Sequence, residues 1–211
     1  MKVNIDEFRK SEIDILIKMA NYLGYVDASE DDIVEEVTTS GNVEKHSMKL
    51  VVDGNNCGEF YYFNILPNPD LKLIKSFRGE YDFLSNFYDV PVTYEDITYD
   101  NAEAAFQAQK CVNDEDKQQF VGIDGKSAKH LGRKVQLRQD WNDVKYNIMK
   151  NIVFNKFAQN NDIALKLFAT DKAELVEGNT WNDTTWGVSL KTGKGKNWLG
   201  NILMEVREEL K

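Results

Sequence analysis

The sequence predicts an α+β chain in two parts. A mainly helical domain with a few short strands spans 71–211, and a small helix and β-meander unit spans 1–70. Three observations carry this. Apolar residues recur at helical spacing through most of the later chain. Short runs rich in Val, Thr, Tyr and Phe, divided by turn sequences, crowd between residues 33 and 66. Pro67-Asn68-Pro69-Asp70, the one proline-rich spot, then marks a boundary.

In chain order, Ile13, Leu16, Ile17, Ala20 and Leu23 predict a helix over 11–24, with Ser11 at its start and Gly24 at its end. Strands are expected over 33–39, 47–52 and 59–66. They are separated by Ser40-Gly41-Asn42 and by Asp53-Gly54-Asn55-Asn56. His46 and Cys57 in this part carry no evident chemistry. A strand over 71–77 follows, then a hairpin of 90–94 and 97–99 around Glu95-Asp96. The Ala-rich segment after Asn101 lacks Gly and Pro and is expected to be helical. Further helices are expected over 114–121, 126–133, 141–158 and 161–169. A last amphipathic helix carries Leu199, Ile202, Leu203, Val206 and Leu210. Gly125-Lys126-Ser127 resembles the end of a phosphate-binding P-loop, but Phe120 stands where its first glycine belongs and no apolar strand precedes it.

A length of 211 residues fits one large domain, or one domain with an appendage. No apolar run approaches the ~20 residues that cross a bilayer. The N-terminal stretch, with Asp6, Glu7, Arg9 and Lys10, has no apolar h-region, so it is not expected to be a secretory signal. Cys57 and Cys111 sit in no metal or disulfide pattern, so neither a metal nor a cofactor is implied, and a reduced, cytoplasmic protein is expected. The net charge of -9 opposes tight, sequence-blind binding of nucleic acid. A local exception is the basic run Lys126, Lys129, Arg133, Lys134 and Arg138, which is either a solvated helix face or an approach for phosphate.

Three stretches carry candidate chemistry. Glu103, Phe106, Gln107 and Lys110 recur at i, i+3, i+4 and i+7, which puts a carboxylate, a ring, an amide and an amine on one helical face. The plain alternative is that Asp100 and Glu103 form a capping pair and Lys110 is solvated. Ahead of this helix, Ser85-Asn86 lies between Leu84 and Phe87, where its polar groups need buried partners or a ligand. The second stretch runs from Leu175 to Gly187 and holds Asn179, Trp181, Asn182, Asp183 and Trp186. Indoles beside Asn and Asp suit a flat, hydrogen-bonding ligand, although core packing with a turn would look similar. In the third, Gly193, Gly195, Lys196 and Asn197 precede a helix, a weak signature of an anion site.

Taken in order, Ser85-Asn86-Phe87, Glu103-x-x-Phe106-Gln107-Ala108-Gln109-Lys110, Leu131-Gly132-Arg133, Trp141, Lys156-Phe157, Leu175-Val176-Glu177, Asp183-x-x-Trp186-Gly187, Gly195-Lys196-Asn197-x-Leu199-Gly200 and Leu203-Met204-x-x-Arg207 resemble the NADAR family, also called the YbiA-like N-glycosidases. The resemblance runs from about residue 74 to the C-terminus; the first 70 residues have no recognised counterpart.

The resemblance implies hydrolysis of an N-glycosidic bond at C1 of a ribose. Family members cleave phosphorylated ribosylamino-pyrimidine intermediates of riboflavin biosynthesis, and others remove ADP-ribose from modified guanine in nucleic acid. It also implies that Glu103 and Lys110 are active-site residues, the lysine as a nucleophile forming a Schiff-base-like ribosyl intermediate. Ala104 departs from the family, where many relatives carry His, so substrate choice is open. With Asp183 as a second acid, Ser85, Asn86, Phe87, Phe106, Gln107, Asn179, Trp186 and Gly187 are expected to bind the base and sugar, and Gly195, Lys196 and Asn197 the phosphate. A rival function is a non-catalytic module that binds ADP-ribose or a nucleotide, with residues 1–70 as an interaction surface.

Overall fold

The computed structural model describes residues 5–22, 24–25, 28–40, 43–65 and 71–210. It divides into two compact units, Met1–Asn68 and Pro69–Leu210. The proline-rich boundary, Leu23, and the Gly41-Asn42 turn fall outside the described residues.

In the first unit, α1 (Ile5–Tyr22) begins six residues before the expected start, so Ser11 is an interior residue rather than a cap. No Gly or Pro interrupts the preceding residues, and the helix continues through them. The strands β1 (Ile33–Ser40), β2 (Val43–Val52) and β3 (Asn55–Ile65) form an antiparallel meander in that order. Asp53 and Gly54, at φ 50° and 77°, make the tight β2–β3 turn. Leu16 and Ala20 pack with Leu50 and Val52. A Cβ on Gly58 would lie 2.6 Å from Leu16, so the helix sits directly on the sheet there.

The second unit runs β4 (Leu73–Ile74), β5 (Val92–Tyr94), β6 (Ile97–Tyr99), α2 (Ala102–Ala108), α3 (Asp114–Lys117), α4 (Gly125–Leu131), α5 (Trp141–Ala158), α6 (Asn161–Ala169), β7 (Glu174–Leu175), β8 (Gly178–Asn179), β9 (Val188–Ser189) and α7 (Trp198–Leu210). The strand expected over 71–77 shrinks to two residues. Its parallel partner β7 offers only Glu174 and Leu175 for pairing. Glu95 and Asp96 turn the β5–β6 hairpin with φ 48° and 61°. The expected helix over 114–121 tightens into a 3-10 turn from Gln118. Asp124 caps α4, its Oδ1 accepting from the amides of Lys126 and Ser127.

Helix α2 is the centre of this unit, and all seven of its residues are buried. Ala102, Ala104, Ala105 and Ala108 are fully covered, their small side chains letting α4 and α5 approach closely. The capping pair does not form. Asn101 Oδ1 accepts from the Ala104 amide at 2.8 Å, a cap worth about 1 kcal/mol, and Glu103 is left for other use. The helix ends at Ala108, short of Lys110, but a tight turn from Lys110 N to Gln107 O keeps the lysine on the same wall. Around α2 close Ile148, Met149, Ile152 and Phe157 of α5 and Leu199, Ile202, Leu203 and Val206 of α7.

Lys156 of α5 is buried and donates to the carbonyls of Phe83 and Ser85, each at 2.7 Å. It thereby pins the segment that leads into Asn86. Burial pushes its amine down to about 7 from 10.5, against the opposing pull of Asp82. Between those values the unfolded chain binds the extra proton, so this group makes stability rise with pH from about 7 to 10.5. Denaturant unfolding over that range is expected to show the rise in the wild type and a flatter profile in Lys156→Met; equal slopes would contradict it.

Candidate active site

A cavity of about 330 Å³ opens against α2. Helix α2 gives it Glu103, Phe106 and Gln107, with Lys110 just beyond, and the segment pinned by Lys156 gives Ser85, Asn86 and Phe87. Helices α4 and α5 add Lys129, Trp141, Lys145 and Met149. The opposite side is Glu177, Trp181, Asp183, Thr185 and Trp186, with Leu199 of α7 at the base.

Glu103 is 5% exposed. Its amide donates to Asn86 O at 2.9 Å, and its Oε1 accepts from Gln107 Nε2 at 2.9 Å. Burial raises its carboxyl above the usual range, opposed by Lys129, the Gln107 bond and Lys110. A Cβ on Gly132 would stand 2.0 Å from Gln107 Oε1, so a glycine is needed where α4 passes this amide. Lys110 Nζ donates to Gly132 O at 3.3 Å and lies 5.8 Å from the centre of the Trp141 ring. Burial lowers the Lys110 amine, Glu103 pulls it back up, and Lys129 and Arg133 lower it further. Apolar enclosure thus favours the neutral form of both groups.

Asp183 Oδ1 accepts from the amides of Thr185 and Trp186, both at 3.0 Å, a turn that aims the second indole. Trp186 stands edge-on to Phe106 with centroids 5.2 Å apart, and Phe106 meets Trp141 at 5.0 Å. Trp181 is 54% exposed at the rim, with the Arg78 guanidinium 5.7 Å from its ring. Phe87 is half-exposed near Lys129, whose Nζ lies 5.4 Å from the ring.

Five residues expected to bind substrate lie behind the cavity instead of lining it. Asn179 is buried as a brace: Oδ1 accepts from the Asp183 amide, and Nδ2 donates to the carbonyls of Asp183 and Val188. Gly187 leaves room for the chain, since a Cβ there would meet Glu177 O at 2.2 Å. Gly195 passes so close that its Cβ would lie 2.1 Å from Gly187 O. Asn197 receives the Glu177 amide on Oδ1 and donates from Nδ2 to Leu175 O. Lys196 Nζ lies 5.0 Å from the Trp198 ring. Four of the backbone amides that an anion site here would draw on are already engaged. The amides of Lys196, Asn197, Trp198 and Leu199 are spent on Thr184, Gly187, Thr185 and Trp186 carbonyls.

Residue-type reasoning passed over Glu177, Trp141, Lys129, Lys145 and Met149 as site residues. Three carried a local signal: Glu177 as a carboxylate directly after Leu175-Val176, Lys129 within the basic run that suits phosphate, and Trp141 in the motif series. Burial pushes Glu177 up to about 7, helped by Asp183 and opposed by Arg78 and Lys129. Three carboxyls and three lysines therefore share one cavity with tilted and edge-on rings, an arrangement able to move protons and hold an anionic ligand.

The family model described as the NADAR domain matches residues 74–211. N-glycosidase YbiA of Escherichia coli (strain K12) is 37% identical over 138 residues, covering 64% of this chain and 85% of that protein. An N-glycosidase of Nostoc punctiforme is 36% identical over 137 residues, covering 62% and 86%. A riboflavin biosynthesis protein of Vibrio vulnificus is 40% identical over 132 residues, but only 35% of its length is spanned. The NMR structure of E. coli YbiA superposes with a TM-score of 0.58 at 32% identity, covering 67% of this chain and 89% of that one.

Proposed function

The chain belongs to the NADAR domain family and is a hydrolase acting on N-glycosyl bonds, and we propose that the bond it cleaves joins C1 of a phosphorylated ribose to a base. The observation that carries the proposal is the pairing of Glu103 with Lys110 in one cavity, each perturbed by burial and each within the other's field. Ligand binding alone needs no such pair, which tells against a non-catalytic module. In this reading residues 71–211 are the catalytic domain and 1–70 an appendage, and the protein acts in the cytoplasm. Among the described residues no helix is long and apolar enough to cross a membrane.

Breaking the C1–N bond leaves positive charge at C1 and an electron pair on the base. The Glu103 carboxylate steadies that charge and takes a proton from the attacking water. Lys110, as the free amine, bonds to C1 as the base departs with the bond's electron pair and a proton. The amine gives up a proton to solvent, and the ring opens at O4 to leave an imine. The resulting imine takes up water to release the sugar aldehyde and restore the amine. Trp186 and Phe106 wall the base, and Lys129 and Lys145 supply positive charge for phosphate.

The favoured substrate is a ribosylamino-pyrimidine phosphate, in keeping with the chain's acidity. One observation supports ADP-ribosylated guanine in nucleic acid as a second reading. A shallow basic surface carrying Lys126, Lys129, His130, Arg133 and Lys134 meets the cavity at Phe87 and Lys129. Incubation with each substrate, read by mass spectrometry of released base and sugar, tests both. Ligand bound but intact after hours would defeat the catalytic proposal.

A further inference from the structure

Glu177 has a fixed stem and a free end. Its amide donates to Asn197 Oδ1 at 3.0 Å, and its carbonyl accepts from Val188 N at 2.9 Å. Gly187 is the neighbour against its chain; a Cβ there would come within 3.0 Å of Glu177 Cγ. Thus three of the five residues that fail to line the cavity, Asn179 through its hold on the 183 turn, Gly187 and Asn197, serve to set this carboxyl at the cavity wall. Its Oε2 is buried and meets no hydrogen-bond partner among the described residues.

The two glutamates differ in what surrounds them. Burial raises both carboxyls, and Asp183 adds to it at each. Glu103 differs in receiving an amide N–H from Gln107 and in having Lys129 and Lys110 oppose its burial, so it ionises more readily than burial alone would allow. Glu177 has the like charge of Asp183 as its strongest electrostatic neighbour, with Arg78 and Lys129 weaker, and no donor on its buried oxygen. A buried carboxyl oxygen without a donor is better accommodated as an acid that gives a hydrogen bond than as an anion that needs one.

We infer that Glu177 is the general acid of the reaction, giving its proton to the base nitrogen as the C1–N bond breaks. The inference rests on the N-glycosidase reading above. The bond's electron pair and the Glu177 proton leave together on the base. Lys129 and Arg78 steady the new carboxylate. Lys110 holds C1 as the imine until water, giving a proton to Glu103, supplies the oxygen and frees the amine. Solvent exchange returns a proton to Glu177 and removes one from Glu103, so the cycle closes. Since Glu177 must enter protonated, activity is lost as pH rises above about 7.

The test compares two leaving groups in wild type and Glu177→Gln. One substrate is a 5-phosphoribosylamino-pyrimidine, whose base needs a proton to leave. The other is 4-nitrophenyl ribofuranoside 5-phosphate, whose phenolate leaves without one. The variant is expected to lose ~100-fold or more in kcat on the first and ~5-fold or less on the second, and to lose the high-pH fall in rate. Equal losses on both substrates, or an unchanged rate on the first, would overturn the assignment. A wild type that turns over neither substrate defeats the N-glycosidase reading instead. The carboxyl is then judged by infrared difference spectra at pH 6: the wild type should show a protonated carboxyl band that the variant lacks, and no such difference overturns the inference.

Discussion

Glu103→Gln is expected to lower kcat by ~10² to 10⁴-fold, the usual worth of a positioned proton-transfer group, while substrate affinity stays within ~3-fold. The amide keeps the shape of the side chain and an oxygen for the Gln107 N–H, so the wall of the cavity is retained. What it loses is the ability to take a proton from water and to oppose positive charge at C1. Steady-state kinetics with calorimetric binding separates the two effects. Undiminished turnover would remove Glu103 from the chemistry and leave it a structural partner of Gln107.

Lys110→Ala is expected to abolish both turnover and any sugar adduct trapped by borohydride. In the wild type, reduction during turnover should fix the ribosyl phosphate to Lys110, seen as a mass gain on the peptide that contains it. Lys110→Arg is not expected to rescue, because a guanidinium keeps its charge and cannot serve as the amine. Burial beside Trp141 lowers the amine's proton affinity, which is what an attacking lysine needs. A trapped adduct in Lys110→Ala, or its placement on Lys129 or Lys145, would move the nucleophile elsewhere in the cavity.

The regions legible in the sequence are those governed by short-range rules. The spacing of Glu103, Phe106, Gln107 and Lys110 marks one wall because helical geometry relates residues three and four apart with no reference to the rest of the chain. The Asp53-Gly54 and Glu95-Asp96 turns are legible for the same reason, as local backbone chemistry. The phosphate site expected at Gly195-Lys196-Asn197 misleads because composition does not reveal which carbonyls consume the amides. Asn179 misleads likewise: a polar residue beside tryptophan looks like a ligand contact until its three hydrogen bonds are seen to close a loop.

By itself the sequence determined the α+β class, the family, and the helix that carries an acid and an amine, since these follow from periodicity, turn residues and motif order. Tertiary structure alone decided that Glu103 is buried and bonded to Gln107 rather than to a helix terminus, and that Glu177 and Trp141 face it across one cavity. The physical reason is that burial and charge coupling depend on neighbours distant in the chain. A carboxyl's proton affinity is therefore a property of the packed fold and not of the residue.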